Sequence, residues 1–236
     1  MSYLSSQRTY SGSLSSKSML RLRHLPLDKL TRIAEPMSEP LTLEEVKAHL
    51  RVLHMSEDDY ITGLIRTARE MAEEDTKRSL LQQGWRLLLD RVPSVWEDEW
   101  WDGVRDGAIS QSEASAIELP RPPLQTVTHI KTYNDADVAT VFAASNYFVE
   151  TASDPGRIAL RRSGVWPYAD RQTSGFEIQF VAGYANAATV PSPIKHGMML
   201  LIAELYRNRE QSIVGTIVQG VPYGVSQLWR DYVVRQ

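Results

Sequence analysis

The stretch FVAGYANAATVPSPIKHGMMLLIAELYRNRE, residues 180–210, changes its hydrophobic period once, and that change decides the fold class. Up to Gly183 the chain alternates. Phe176, Ile178 and Phe180 are apolar, while Glu177 and Gln179 between them are polar, which is the two-residue period of a strand with one buried face. After a loop of small residues, Ser192 reads as a helix cap. Pro193 then takes the first helical position, where its missing N–H costs nothing. Ile194, Met198, Leu201 and Leu205 recur at helical spacing, and Arg207 and Arg209 stand at the end of the helix that favours cations. A strand that feeds an amphipathic helix gives architecture but no nucleophile, metal cluster or phosphate loop.

Upstream the same signals repeat. Thr42 and Glu45 form a capping box, with Leu41 and Val46 at hydrophobic-staple spacing, and Leu43, Val46, Leu50 and Leu53 make a stripe. Ser56 is expected to start a second helix, with Glu57, Asp58 and Asp59 in the favourable first turn. Its buried face is Ile61, Leu64, Ile65, Ala68, Met71 and Ala72, and it is expected to run to about Arg78. From Trp85 the period shortens: Trp85, Leu87 and Leu89 face one way in a strand stopped by Pro93. The prolines of IELPRPP restrict residues 117–123 to an edge. TVTHIKTY, NYFVE and GRIALR supply further strands, the first followed by an Asn134-Asp135 turn. The expected class is α+β, a small bundle of three or four helices with a β-rich insertion and extended N- and C-terminal arms. The divisions are a basic Ser-rich arm (1–40) with one short helical turn around Leu27 to Ile33, a helical hairpin (41–84), the β-rich insertion (85–190), a bundle helix (191–210) and a C-terminal tail (211–236).

Composition narrows the classes. The chain has 236 residues, 42% hydrophobic and 23% charged, enough to bury a sizeable core. No apolar run approaches the ~18 residues of a membrane span, and the first residues lack the apolar core of a signal peptide, so they read as retained, cytosolic sequence. There is no cysteine, which excludes disulfides, thiol catalysis and Cys-based zinc sites. The net charge is −3 but unevenly spread. Arg8, Lys17, Arg21, Arg23, Lys29 and Arg32 face only Asp28 and Glu35 in the first 35 residues. That arm has three readings: contact with a neighbouring protein, contact with DNA, or a disordered tail. Its spaced charges lack the dense cluster of a phosphate binder and favour protein contact, with Arg21 and Arg23 as candidates.

The search for chemistry yields bland readings. His49 and His54 are five apart, which does not put two ligands on one helical face. Glu57-Asp58-Asp59 is explained by the helix dipole. The acidic, Trp-rich loop at 94–115 contains WEDEWWDG, whose carboxylates lie between Pro93 and Gly103 with no regular period. Trp96, Trp100 and Trp101 there read as anchors that pack onto a neighbour. GTIVQGVPYG lacks the lysine and the strand–helix context of a phosphate loop, and no serine stands in a G-x-S-x-G elbow. The expectation is a protein that is not an enzyme, with no catalytic, metal or cofactor-binding residue and no cofactor.

LTLEEVKAHLRV, DDYITGLIRTAREMAEEDTKRSLLQQGWRLLLDRVP, IELPRPPLQTVTHIKTYND, NYFVETASDPGRIAL and the opening stretch, in that order, resemble one family. It is the head-to-tail connector, or adaptor, family of tailed bacteriophages and gene transfer agents. The resemblance covers about Leu41 to Arg235 and leaves the first 40 residues and the Trp-rich loop outside it. It implies a non-enzymatic virion protein of the neck, assembled in the host cytoplasm as a ring, typically of twelve copies, under the portal. Such a ring extends the DNA channel and offers a platform to the next neck, stopper or tail protein. Genomic DNA passes its lumen without sequence-specific binding, and no membrane is involved. Leu228, Trp229, Tyr232 and Val233 are then candidates to anchor the tail in the portal. The alternative is that this segment folds back as a fourth bundle helix. Other functions left open are a packaging factor that binds DNA through the basic arm, and a stopper or tail-completion protein of the same neck.

Overall fold

Helix α1 (Leu43–Leu50) begins where the sequence signals it. Thr42 Oγ1 accepts the Glu45 N–H at 3.2 Å, and Glu45 Oε2 accepts the Thr42 N–H at 2.8 Å. Leu41 and Val46 on either side of the cap are both buried, as a staple requires. The structure is a computed structural model that describes residues 29–90, 116–161, 164–209 and 223–234. The basic arm through Asp28, with Arg21 and Arg23, and the whole Trp-rich loop, with Trp96, Trp100 and Trp101, lie outside the described residues.

Helix α2 (Asp58–Thr76) buries Ile61, Leu64, Ile65, Ala68 and Ala72. Two of its expected ends move. Glu57, not Ser56, holds the cap position, and Ser56 Oγ instead contacts His54 Nδ1 at 2.9 Å. Glu57 is drawn away from a capping role by Tyr206 and Arg209, which both hydrogen-bond its carboxylate. At the other end Lys77 turns left-handed (φ 56°) and stops the helix short of Arg78. Helix α3 (Ser192–Arg207) starts from Pro191 in extended geometry, so Ser192 is its first residue rather than its cap. The last helix, α4 (Tyr223–Trp229), completes a core that also holds Ile194, Met198, Leu201, Ile202, Val225 and Trp229.

Strand β1, which precedes α1, and the seven strands between α2 and α3 build two antiparallel sheets. The larger has the order β1 (Leu30–Ala34), β2 (Gln83–Leu89), β8 (Phe176–Ala182), β4 (Leu124–Tyr133) and β5 (Ala139–Phe142). The smaller has the order β3 (Ile117–Glu118), β7 (Arg157–Leu160) and β6 (Tyr147–Glu150). Thus the proline-flanked β3 does sit at an edge. A second core of Leu87, Leu89, Ile117, Ile130, Ile158, Phe176, Ile178 and Phe180 joins residues of both sheets. The α+β class holds, with four helices and two sheets among the described residues.

Two sequence expectations fail here for the same reason. Residues 30–34 form an edge strand where a helical turn was expected, because Leu30 to Arg32 pair with Leu87 to Trp85 some fifty residues on. Glu177 was expected to face outward, yet it is buried, because its strand is the central one of five and His129 and Tyr133 of the neighbouring β4 lie against its carboxylate.

The connection from β8 to the helices turns on Gly183, at φ 122°, where a Cβ would lie 1.9 Å from the Leu81 carbonyl oxygen. Gly183→Ala should cost at least the ~1–3 kcal/mol of a strained backbone and lower the urea midpoint. Gly63→Ala, on an open stretch of α2 with nothing within 4 Å of the added methyl, should instead gain about 0.5–1 kcal/mol. Equal effects from the two substitutions would contradict the backbone assignment.

Candidate assembly surfaces and the joint that orients them

One carboxylate ties the helical unit to the β unit. Glu73, in the last turns of α2, is buried, and its Oε1 accepts the Leu80 N–H at 3.0 Å and the Gln83 side-chain amide. Its Oε2 takes Arg69 Nη1 at 3.1 Å, one helical turn back, and faces Arg32 Nη1 of β1 at 3.6 Å. Arg69 is itself buried and also donates to Glu39 at 2.8 Å. Burial pushes the Glu73 carboxyl above its ordinary range, against the pull of the Leu80 N–H and Arg69. Burial works against the charge of Arg69, but Glu73 and Glu39 outweigh it and hold the guanidinium above its ordinary value. Beside this pair, Trp85 Nε1 donates to Ser79 Oγ at 2.9 Å, and the guanidinium carbons of Arg121 and Arg32 stand 5.5 and 5.9 Å from the Trp85 ring. Sequence reading missed this joint. Its signal was an opposite-charge pair at i, i+4 inside the apolar stripe of α2.

The C-terminal segment is pinned to the same subunit. Trp229 is fully buried, its indole N–H donates to the Ile194 carbonyl at 3.2 Å, and a Cβ on Gly197 would come within 2.3 Å of that nitrogen. So α3 keeps a glycine where the indole lies. Val234 N–H reaches the Thr76 carbonyl at 3.0 Å, and Arg78 donates to the Tyr232 carbonyl. Of the four residues considered for a portal contact, Leu228 and Tyr232 pack partly onto the bundle core, Trp229 is inside it, and Val233 remains 38% exposed. The fold-back alternative therefore describes residues 223–234 in this conformation.

A second polar cluster lies on the larger sheet. Glu177 takes His129 Nε2 at 3.0 Å and the Tyr133 hydroxyl at 2.9 Å. Burial acts to raise its carboxyl, but these two hydrogen bonds, with the charge of Lys131, outweigh burial and hold it below the ordinary carboxylate range. The contact of Ser56 with His54 sits in the α1–α2 connection with the imidazole side chain 56% exposed, where nothing excludes water. No group of three His, Asp or Glu able to hold a metal occurs among the described residues, nor is any described helix long and apolar enough to cross a membrane.

What the molecule presents instead is apolar surface at its margins. Leu53 and Met55 in the α1–α2 connection are 95% and 81% exposed. On the β unit, Val141, Phe148, Val165 and Tyr168 are exposed as well. Exposed apolar side chains of this kind suit contact with other chains.

Residues 40–134, from the α1 cap through β4, match the family model of phage gp6-like head-tail connector proteins. Over that span the resemblance read from the sequence holds. No curated protein matches the chain. Solved structures similar in fold include chains of gene transfer agent particles. A chain from the neck of an empty GTA particle, computed with C6 symmetry, is 24% identical with a TM-score of 0.62, and the match covers 86% of this chain and 94% of that one. A chain from the virion of a native gene transfer agent (GTA) particle is 23% identical with a TM-score of 0.63, at the same coverage. A chain from the neck of a native GTA particle, computed with C12 symmetry, is 23% identical with a TM-score of 0.60, covering 86% and 93%. At 86% of the chain, the likeness in fold extends well beyond the 95 residues of the family match.

The depressed Glu177 carboxyl has a direct test. A carboxylate held below its unfolded pKa stabilises the fold above that value and loses the contribution as pH falls through the lower, folded value. Glu177→Gln should therefore be less stable than the parent at pH 6–7. The gap should close as the pH drops below about 4, read as urea midpoints across the series. A gap independent of pH would show that the charge of Glu177 contributes nothing.

Proposed function

We propose that the chain is a structural head-tail connector, or adaptor, in the neck of a tailed phage or phage-like particle. It works as one subunit of a ring beneath the portal that continues the DNA channel and carries the next neck component. The observation that carries this reading is the connector-family match across residues 40–134. The fold likeness to chains of GTA necks, one computed with C12 symmetry and one with C6, supports a ring of about that order. A non-enzymatic role follows from the family.

Within that ring the helical unit, the β unit, the N-terminal arm and the C-terminal tail divide the contacts among sister copies, portal and neck. The C-terminal segment is the portal-facing end. In the conformation described here Val233 is the residue free to touch a partner, while Trp229 acts from beneath by fixing the segment to α3. The Trp-rich loop and the arm residues Arg21 and Arg23 are the contacts with neighbouring chains.

The test is mass by sedimentation, with and without purified portal. The expected outcome is a discrete ring bound to portal, with attachment weakened at least tenfold by Val233→Asp and the ring itself preserved. A chain that stays monomeric at all concentrations, with and without portal, would contradict the connector reading. Unchanged portal binding by the Val233→Asp ring would remove the C-terminal contact alone.

A further inference from the structure

A groove of about 700 Å3 runs along the bundle between the end of α1, the second half of α3 and the start of α4. Leu50, Leu200, Tyr206 and Val225 give it apolar walls, and His49, Arg51 and Arg207 also line it. The side chains of Arg51 and Arg207 make no ion pair among the described residues, while Glu204, the acid in the groove, is engaged by Asn208. Leu53 and Met55 extend the apolar surface next to it. Such a groove, apolar within and cationic at its rim, fits a segment that combines large aromatics with carboxylates.

The chain carries one such segment. Trp96 to Asp102 reads WEDEWWD, three tryptophans and four acids in seven residues. We propose that this groove receives the Trp96–Asp102 segment of a neighbouring copy of the chain, tryptophans inward and acids toward Arg51 and Arg207. The inference rests on the ring reading above and assigns one of its subunit contacts.

Chain geometry favours a neighbour over the subunit's own loop. Strand β2 leaves the joint at Gln83, which is bonded to Glu73, and ends at Leu89, about 20 Å further on at ~3.3 Å per residue. The groove lies on the helical unit, whose core is separate from that of the β unit. Tyr206 meets Glu57 at the start of α2, and Glu73 at the joint follows Glu57 by 16 residues along that helix, some 24 Å at ~1.5 Å per residue. Trp96 follows Asp90 by six residues, which span at most about 22 Å when fully extended. The reach of the first tryptophan is thus shorter than the length of helix between joint and groove. In the proposed ring, an acidic, aromatic segment meeting an apolar, basic groove supplies the two unlike faces that head-to-tail closure needs.

The absence of cysteine from the sequence makes the test direct. Trp100→Cys chains and Leu200→Cys chains are mixed, assembled to rings of verified mass and oxidised, and a third set carries both substitutions in one chain. Trp100→Cys paired with Tyr168→Cys, an exposed position on the β unit, is the control. A disulfide needs Cα atoms within about 7 Å. The expected result is a heterodimer band from the mixed rings, a ladder of linked subunits from the double variant, and no band from the control. Rings of correct mass that give no heterodimer, an intramolecular bond alone, or equal linking in the control each overturn the groove assignment while leaving the ring reading standing. Failure of the unsubstituted chain to form any ring overturns both.

Discussion

The Glu73 carboxylate is the constraint on which the arrangement of this chain depends. It is the point where α2 ends, the polypeptide turns through Ser79 and Leu80, and β2 begins. It holds the backbone of Leu80 and the side chain of Gln83 from below and Arg69 from within its own helix, with Arg32 facing it from β1. A buried carboxylate is costly unless every lone pair is satisfied. Here the partners come from both units, so satisfying the charge fixes their relative orientation. Trp85 and its two flanking guanidiniums seal the same spot.

That constraint has a functional consequence. A ring subunit passes load and register from the copy on one side to the copy on the other, and a subunit whose helical and β units pivoted freely would give rings of varying diameter. With the joint rigid, exposed surfaces such as Leu53 and Met55 on the bundle and Val165 and Tyr168 on the β unit keep fixed directions relative to one another. The pinned C-terminal segment adds to this. Trp229 lies against Gly197, and Val234 bonds to Thr76 at the end of α2, so the end proposed to face the portal is referenced to the same joint.

Much of this was legible because it is local. The Thr42–Glu45 box, the apolar stripe of α2, and the change of period between Phe180 and Ile194 are each contained within about fifteen residues, and propensity, pattern and capping agree there. What escaped is non-local. Strand β1 exists because β2 is there to pair with it, and nothing inside residues 30–34 announces that partner. Ser56 carries every mark of a cap, but the helix starts later because Glu57 is engaged by Tyr206 and Arg209 from the far end of α3. Glu177 follows the alternation of an exposed position and is buried because its strand is central and His129 and Tyr133 satisfy it. Among the candidate contact residues, aromatic character alone could not tell a partner's anchor from a core residue. Trp229 is the case in point, and the small residue opposite it, Gly197, is the sign that its partner lies within the chain.

If the Glu73 joint makes one rigid body of the two units, they must open together. Native-state hydrogen exchange over a series of low denaturant concentrations reads this directly. The expected result is that the slowest amides of α2, from Leu64 to Ala72, and those of β8, from Phe176 to Ala182, converge on one opening free energy and one denaturant slope. Two separate isotherms, with the β unit opening while the helices remain protected, would show that the joint does not couple them.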